Sequence, residues 1–234
     1  MALFAIADLH LSFGTDKPMN IFRGWQGYER RIAEAWTRLV MPEDTVVIAG
    51  DVSWATDFEQ LRADFEFLQR LPGQKRIVKG NHDYWWSTRA KMDRFCAENG
   101  YDTISFIHNG AEICGQTAIC GTRGWFYDLK ESDDKKVLLR EAGRLETSIA
   151  AAEQTGLEPV VFLHYPPVYG DYRCGEMMDV LLRHRVRRCY YGHLHAQSHA
   201  SAVQGETEGI LFTNIAADWL RFTPLRVDPP GENI

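Results

Sequence analysis

Short apolar runs recur along the chain, and polar residues follow each run at once. In five of these runs consecutive positions are apolar, which predicts strands that are buried on both faces rather than on one. The five predicted strands are Ala2–Ala7, Thr45–Ala49, Arg76–Lys79, Val160–Leu163 and Cys189–Tyr191.

Apolar residues at spacings of three and four predict helices between these strands. The predicted helices are Tyr28–Val40, Phe58–Leu71 and Asp133–Thr155, and each is followed by a proline or glycine that ends it. Alternating strands and helices over the first hundred residues indicate an α/β fold. Further strands are predicted in the second half, with short turns that favour a mixed sheet or two stacked sheets: Ile104–Ile107, Glu112–Cys120, Gln197–Val203 and Ile210–Asn214.

Composition narrows the class of protein. The chain has 234 residues, of which 45% are hydrophobic and 25% charged, without repeats or a linker, so we expect a single globular domain over residues 1–234. A net charge of -6 argues against a protein that holds long nucleic acid over a broad basic face, although it leaves room for a small positive site.

Cysteine usage and the first residues bear on location. The five cysteines are odd in number and show no CxxC spacing, which is typical of free thiols in a reducing compartment. The apolar start, Met1 to Ala7, is too short for a signal peptide or a membrane span. We therefore expect a soluble, cytoplasmic protein.

The polar residues that follow the five apolar runs carry the chemistry. Loops at the carboxyl ends of neighbouring strands converge, so their side chains are expected to meet. Five of the eight histidines lie among them, and imidazole, carboxylate and amide are ligands for Mn, Fe or Zn. The set is too large for one tetrahedral ion and suits two ions that share a carboxylate. Its members are Asp8, His10, Asp51, Asn81, His82, His164, His193 and His195.

Taken singly, each of these residues also has an ordinary structural interpretation. Asp51 could be a turn residue or a helix cap, Asn81 a turn former, and His164 a hydrogen-bonded core histidine. Their common position after strands, in order along the chain, favours metal binding.

In these residues the sequence resembles the calcineurin-like metallophosphoesterase superfamily. The matching blocks are Ala-Asp-Leu-His at 7–10, Gly-Asp at 50–51, Gly-Asn-His-Asp at 80–83, His164, and Gly-His-Leu-His at 192–195. The resemblance implies a four-layer αββα sandwich, in which two mixed β-sheets are flanked by helices. It also implies two divalent metal ions. One would be bound by Asp8, His10, Asp51 and His195, and the other by Asp51, Asn81, His164 and His193.

The resemblance further implies a reaction. The expected activity is hydrolysis of a phosphomonoester or phosphodiester by metal-bound hydroxide, without a covalent intermediate. His82 would act near the scissile phosphate as an acid or electrostatic stabiliser, and Asp83 would orient it. The protein serine/threonine phosphatases of this superfamily carry an Asp-Arg-Gly after the Gly-Asp block and a glutamate in the Gly-Asn-His block. Here no Asp-Arg-Gly follows Asp51, and Asp83 stands in place of the glutamate, which weakens a protein-phosphatase interpretation. His82 replaces the arginine usual in sugar-nucleotide pyrophosphatases of the lipid A pathway, so the chain looks more like small prokaryotic phosphohydrolases.

The substrate contacts are less specific. Trp54, Trp86 and Tyr165 lie near the blocks, where they either pack around the loops or form a stacking wall for a flat group. Arg123 either reaches a phosphate or is a solvated charge. The segment Leu11–Gln26 is either a loop over the site or an ordinary surface excursion.

Two other functions stay open at this point. The basic run Arg183–Arg188 would suit a DNA or RNA nuclease of the same fold, although it suits cations on the last turn of a helix better. Such nucleases usually carry a further capping domain, and the chain ends about 40 residues after His195. A non-catalytic protein-binding scaffold would have lost ligands, whereas the ligand set here is complete. The oligomeric state is left open.

Overall fold

The computed structural model describes residues 1–125 and 132–227, with side chains omitted at 132–134. Its helices are α1 (Tyr28–Leu39), α2 (Phe58–Arg70), α3 (Arg89–Asn99), α4 (Ser132–Glu153) and α5 (Gly175–Arg183). Its strands are β1 (Leu3–Ile6), β2 (Thr45–Ala49), β3 (Gln74–Val78), β4 (Ile104–Phe106), β5 (Ala111–Cys114), β6 (Thr117–Thr122), β7 (Glu158–Leu163), β8 (Val168–Tyr169), β9 (Tyr172–Arg173), β10 (Arg188–Tyr191), β11 (Gly205–Thr207), β12 (Ile210–Asn214) and β13 (Leu225–Val227).

Two large mixed sheets contain most of these strands. The first has five strands in the order β13-β1-β2-β3-β4, all parallel except β13. The second has six in the order β11-β12-β10-β7-β6-β5, and its four inner strands are parallel. Strands β8 and β9 form a separate hairpin. In both sheets the parallel strands at the centre deliver their carboxyl ends to one edge.

The alternation of side chains along β2 shows how the layers are built. Val46 and Ile48 pack in a core with α1, α2 and α3, whereas Val47 and Ala49 pack between the two sheets. A third core lies between the six-stranded sheet and α4 and α5. Burial on both faces explains why these strands are continuously apolar. The predicted αββα sandwich with two mixed sheets is confirmed.

Two predicted strands were wrong. The segment 112–120 is a hairpin, β5 and β6, because Gly115 adopts a φ of +58° and lets Cys114 pair directly with Thr117. The segment 197–203 contains a 3-10 helix, Ala196–Ser201, whose turns are closed by backbone bonds such as the 2.9 Å bond from Ser198 to His195.

The predicted helices begin and end within two residues of the observed ones, but α3 and α5 are not among the predicted helices. All five cysteines are free and buried, in agreement with the prediction of free thiols. Within residues 1–125 and 132–227, none of the helices combines the length and the apolar character that crossing a bilayer would require.

Candidate metal centre

The loops that follow β1 and β2 continue to pair after the strands end. The backbone N–H of Asp8 donates to the carbonyl of Gly50 at 2.9 Å, and that of His10 donates to the carbonyl of Asp51 at 2.9 Å. Three predicted ligands are therefore held by backbone bonds and not only by side-chain packing.

An unusual backbone conformation recurs among the predicted ligands. The φ angles are +60° at Asp8, +46° at His10, +50° at Asp51 and +71° at His193. Left-handed conformations are costly for residues other than glycine, and they cluster at functional sites where the surrounding structure enforces them. Each of these residues turns the chain sharply at a strand end, so that its side chain faces the other loops.

The glycines of the sequence blocks make room for the ligands. A Cβ atom on Gly80 would lie 2.1 Å from both the backbone nitrogen and Oδ1 of Asp51. One on Gly192 would lie 2.3 Å from Oδ2 of Asp8. Any side chain at these positions would displace a carboxylate of the site.

The seven predicted ligands lie in two groups that face each other. We call these residues the candidate metal centre: Asp8, His10, Asp51, Asn81, His164, His193 and His195. In the first group, His195 Nε2 lies 3.4 Å from Asp8 Oδ1 and 3.3 Å from His10 Nε2. The second group joins Asp51, His164 and His193. There, His164 Nε2 lies 3.5 Å from Asp51 Oδ2 and 2.6 Å from the side-chain oxygen of Asn81.

Asp51 connects the two groups. Its Oδ2 lies 3.8 Å from His10 Nε2 in the first group, and it also faces His164 in the second. Its Oδ1 accepts a hydrogen bond from the backbone N–H of His82 at 2.7 Å. The carboxylate is thereby fixed with one oxygen toward both groups, as a shared ligand requires.

The electrostatics of the candidate metal centre fit divalent cations. Burial, followed by the nearby carboxylates of Asp8 and Asp83, raises the pKa of Asp51 to about 9. Burial lowers the pKa of both His164 and His193 to about 3, so these imidazoles are neutral and keep a lone pair for a metal. Asp8 Oδ1 is buried without a hydrogen-bond partner. A bound cation would relieve the carboxylate repulsion and would serve this oxygen.

Comparison with known proteins identifies the family. The model of the calcineurin-like phosphoesterase family matches residues 1–197. The chain belongs to the calcineurin-like phosphoesterase family. The resemblance seen in the sequence blocks is confirmed, and membership of this family supports the predicted enzyme class, a metal-dependent phosphohydrolase.

A curated protein is similar to part of the chain. The "Gene 66 protein" of Mycobacterium phage D29 is 43% identical over 63 residues, which cover 26% of this chain and 31% of that protein. The chain thus spans about a third of the length of this curated relative.

Solved structures share the fold at low identity. The phosphopantetheinyl hydrolase from Mycobacterium tuberculosis is similar at a TM-score of 0.57 and 17% identity, covering 100% of this chain and 98% of that one. The protein TT1561 of Thermus thermophilus is similar at a TM-score of 0.54 and 13% identity, covering 90% and 86%.

In this calcineurin-like phosphoesterase, His82 lies at the mouth of the candidate metal centre. Its side chain is 33% exposed, and its Nε2 is 4.0 Å from Asp51 Oδ2. Its Nδ1 lies 3.3 Å from the hydroxyl of Tyr84. The ring is within reach of both the site and solvent.

Asp83 occupies a different position from the one that the resemblance implies. Within the described part of the chain, no hydrogen bond or ion pair joins its carboxylate to the ring of His82. The carboxylate instead accepts backbone hydrogen bonds at 2.7 to 3.4 Å from Gly80, Asp51, Val52 and Ser53. It ties the loop after β2 to the loop after β3, and so it fixes Asp51 rather than His82.

The predicted substrate residues fall into two places. Trp54 stacks on His10, with ring centroids 5.0 Å apart, and lies 4.3 Å from His82; Tyr165 lies 4.4 Å from His193. Arg123 and Trp86 instead line a cavity beside the candidate metal centre. The segment Leu11–Gln26 borders the site as well, since Lys17 lies 4.8 Å over the ring of Trp54 and Trp25 lies 5.9 Å from His10 and His195.

Sequence analysis missed Asp218. Its Oδ1 lies 2.9 Å from Nδ1 of His195 and 3.3 Å from Nε2 of His199. Burial lowers the pKa of His195, but the carboxylates of Asp8 and Asp218 outweigh burial and raise it to about 10. Asp218 shortly follows the predicted strand Ile210–Asn214, so the rule that found the other ligands could also have found it.

Proposed function

We propose that the chain hydrolyses a small phosphate ester with the help of two divalent metal ions. The observation that carries this proposal is the position of Asp51, whose Oδ2 faces His10 on one side and His164 on the other. A buried carboxylate that faces a histidine of each group is what a pair of cations with one shared ligand needs.

The metal ions, Mn, Fe or Zn, would supply positive charge to polarise the phosphoryl group and to lower the pKa of a water nucleophile. The ligands' own contribution is to hold that charge in place. The left-handed turns at Asp8 and Asp51 and the backbone bonds between their loops keep the ligands in position before substrate arrives.

His82 supports the chemistry from the solvent side. Its partial exposure and its position 4.0 Å from Asp51 Oδ2 support a role beside the leaving oxygen of a bound ester. We assign it the role of donating a proton to that oxygen, a role worth about 10²–10⁴-fold in rate.

The nuclease alternative is less well supported. The basic run Arg183–Arg188 lies at the start of β10, whereas His193 follows its end, so about 13 Å of strand separates them. Three of its side chains also pair with glutamates: Arg183 with Glu146, His184 with Glu153 and Arg188 with Glu158. The full ligand set likewise favours an enzyme over a protein-binding scaffold.

The test is hydrolysis by the purified protein with manganese. The panel comprises p-nitrophenyl phosphate, bis(p-nitrophenyl) phosphate and nucleotides with one to three phosphates. We expect hydrolysis of at least one ester, no phosphorylated protein during turnover, and loss of activity with a chelator. No hydrolysis across the panel would contradict the proposal, and trapping a phosphorylated residue would contradict direct attack by water.

A further inference from the structure

A cavity of about 280 Å³ lies beside the candidate metal centre, and we call it the cationic cavity. Lys79, Arg123, Arg144, His108, Glu141 and Trp86 are among the residues that line it. Its volume is near the lower end for ligand sites, about 300–1,000 Å³, which suits one polar group and part of the framework that carries it.

The cavity joins two loops of the candidate metal centre. Lys79 directly precedes the Gly80-Asn81 block at the end of β3. Arg123 follows β6, and its backbone carbonyl accepts a 2.8 Å hydrogen bond from the N–H of Tyr165, the residue after His164. The cavity is therefore built partly on the chain that precedes Asn81 and on a loop bonded to the one that carries His164.

Positive charge exceeds negative charge in the described lining of the cavity. Glu141, only 1% exposed, is the one carboxylate there; it accepts from Thr122 Oγ1 at 2.8 Å and Arg144 at 2.6 Å, and it lies 3.6 Å from Arg123. Two of the three cationic side chains thus share one buried acid, which leaves two positive charges in excess.

Two further observations point to an anionic ligand. The Nε of Arg123 is buried without a hydrogen-bond partner, although its guanidinium has a fixed set of donors to satisfy. The pKa of His108 is lowered by burial first and then by the positive charges of Arg144, Arg89 and Lys79. The cavity therefore has a positive potential, and one of its arginines has a donor that the fold leaves unpaired, in a chain whose net charge is -6.

We propose that the cationic cavity binds a second phosphate group of the substrate, while the first is hydrolysed at the metals. This inference rests on the proposed function and names its substrate class: a small molecule with two separated phosphates. A phosphate carries about −1.5 to −2 charge at neutral pH, which matches the excess of the cavity, and the arginine fork suits its oxygens. Trp86 supplies an apolar wall for the carbon framework between the phosphates.

The test is calorimetric binding to the manganese-loaded protein, which does not depend on turnover. The probes are alkane bisphosphonates with three to six methylene groups, each compared with the alkyl monophosphonate of the same length. We expect at least one bisphosphonate to bind about tenfold more tightly than its monophosphonate, the size of one charge-assisted hydrogen bond.

Substitutions in the cationic cavity test whether its arginines cause this preference. Arg123→Gln and Arg144→Gln should each abolish most of this tenfold preference, and the partly exposed Arg144 can be replaced with little disturbance of packing. Arg140→Gln, which removes an exposed arginine from the same helix α4, should keep the preference. No preference at any length, or a preference that survives both cavity variants, would overturn the inference. Failure of the hydrolysis panel with the preference intact would instead count against the proposed reaction.

Discussion

The candidate metal centre and the cationic cavity lie side by side, yet they are built from opposite chemistry. The centre contains carboxylates and imidazoles, the ligand types that hold divalent cations, and burial raises the pKa of its Asp51 to about 9. The cavity contains guanidinium and ammonium groups around one buried acid, and these need an anion. On the proposed function, a chain with a net charge of -6 would attract phosphate in two ways, through bound metal ions and through three cationic side chains.

The largest expected effect comes from a substitution in the candidate metal centre. Asp51→Asn should remove the shared ligand charge and reduce hydrolysis of every ester by roughly 10³-fold or more, together with bound metal measured by elemental analysis. Glu43→Gln, at an exposed acid away from the site, is the control and should change neither. Full metal content in the Asp51 variant would show that the candidate metal centre does not need this carboxylate to bind cations. The contrast with the cationic cavity would then be lost.

A second change tests the proton donor at the mouth of the centre. His82→Ala should lower kcat by about 10²-fold or more while metal content stays that of the parent protein, because His82 is not assigned as a ligand. The loss should be larger for phenyl phosphate than for p-nitrophenyl phosphate, whose leaving group needs less protonation. An equal loss for both esters would argue against the acid role.

A smaller effect is expected from Asp218, which contacts the ligand His195 but is not itself one of the seven predicted ligands. Asp218→Asn keeps a hydrogen-bond acceptor for His195 Nδ1 but removes the charge, so the affinity for Mn²⁺ should fall by about 10-fold. The measurement is the manganese concentration that gives half-maximal activity. An unchanged value would mean that Asp218 only packs against the ring.

The smallest effect belongs to the cavity alone. Glu141→Gln frees the two arginines that share this acid, so the bisphosphonate with the strongest preference should bind about threefold more tightly, as expected for one ion pair. Metal content should not change. Weaker binding, or loss of metal, would show that Glu141 supports the candidate metal centre rather than tuning the cavity.

Sequence predicted the central strands well and their surroundings less well. The bounds of β2 and β12 match the predictions; in β2 this is because a strand buried on both faces must be apolar throughout, and polar residues then mark its end. Helix α3 was missed because its apolar stripe is short; only Met92, Phe95 and Cys96 are buried, and they cover about one turn.

At the candidate metal centre, too, some features could be predicted from the sequence and others could not. The seven predicted ligands meet because the loops of parallel strands converge, which sequence order alone can indicate. The role of Asp83 depends on where a carboxylate points, and it points to the backbone of the neighbouring loop. The cationic cavity could not be predicted, because Lys79, Arg123 and Arg144 come from three elements that only the fold brings together.

The central claim is that two cations share Asp51, and anomalous diffraction from crystals of the manganese-loaded protein tests it most directly. The account predicts two manganese peaks, one among Asp8, His10 and His195 and the other among Asn81, His164 and His193, with Asp51 contacting both. A single peak, or peaks that Asp51 does not join, would contradict it.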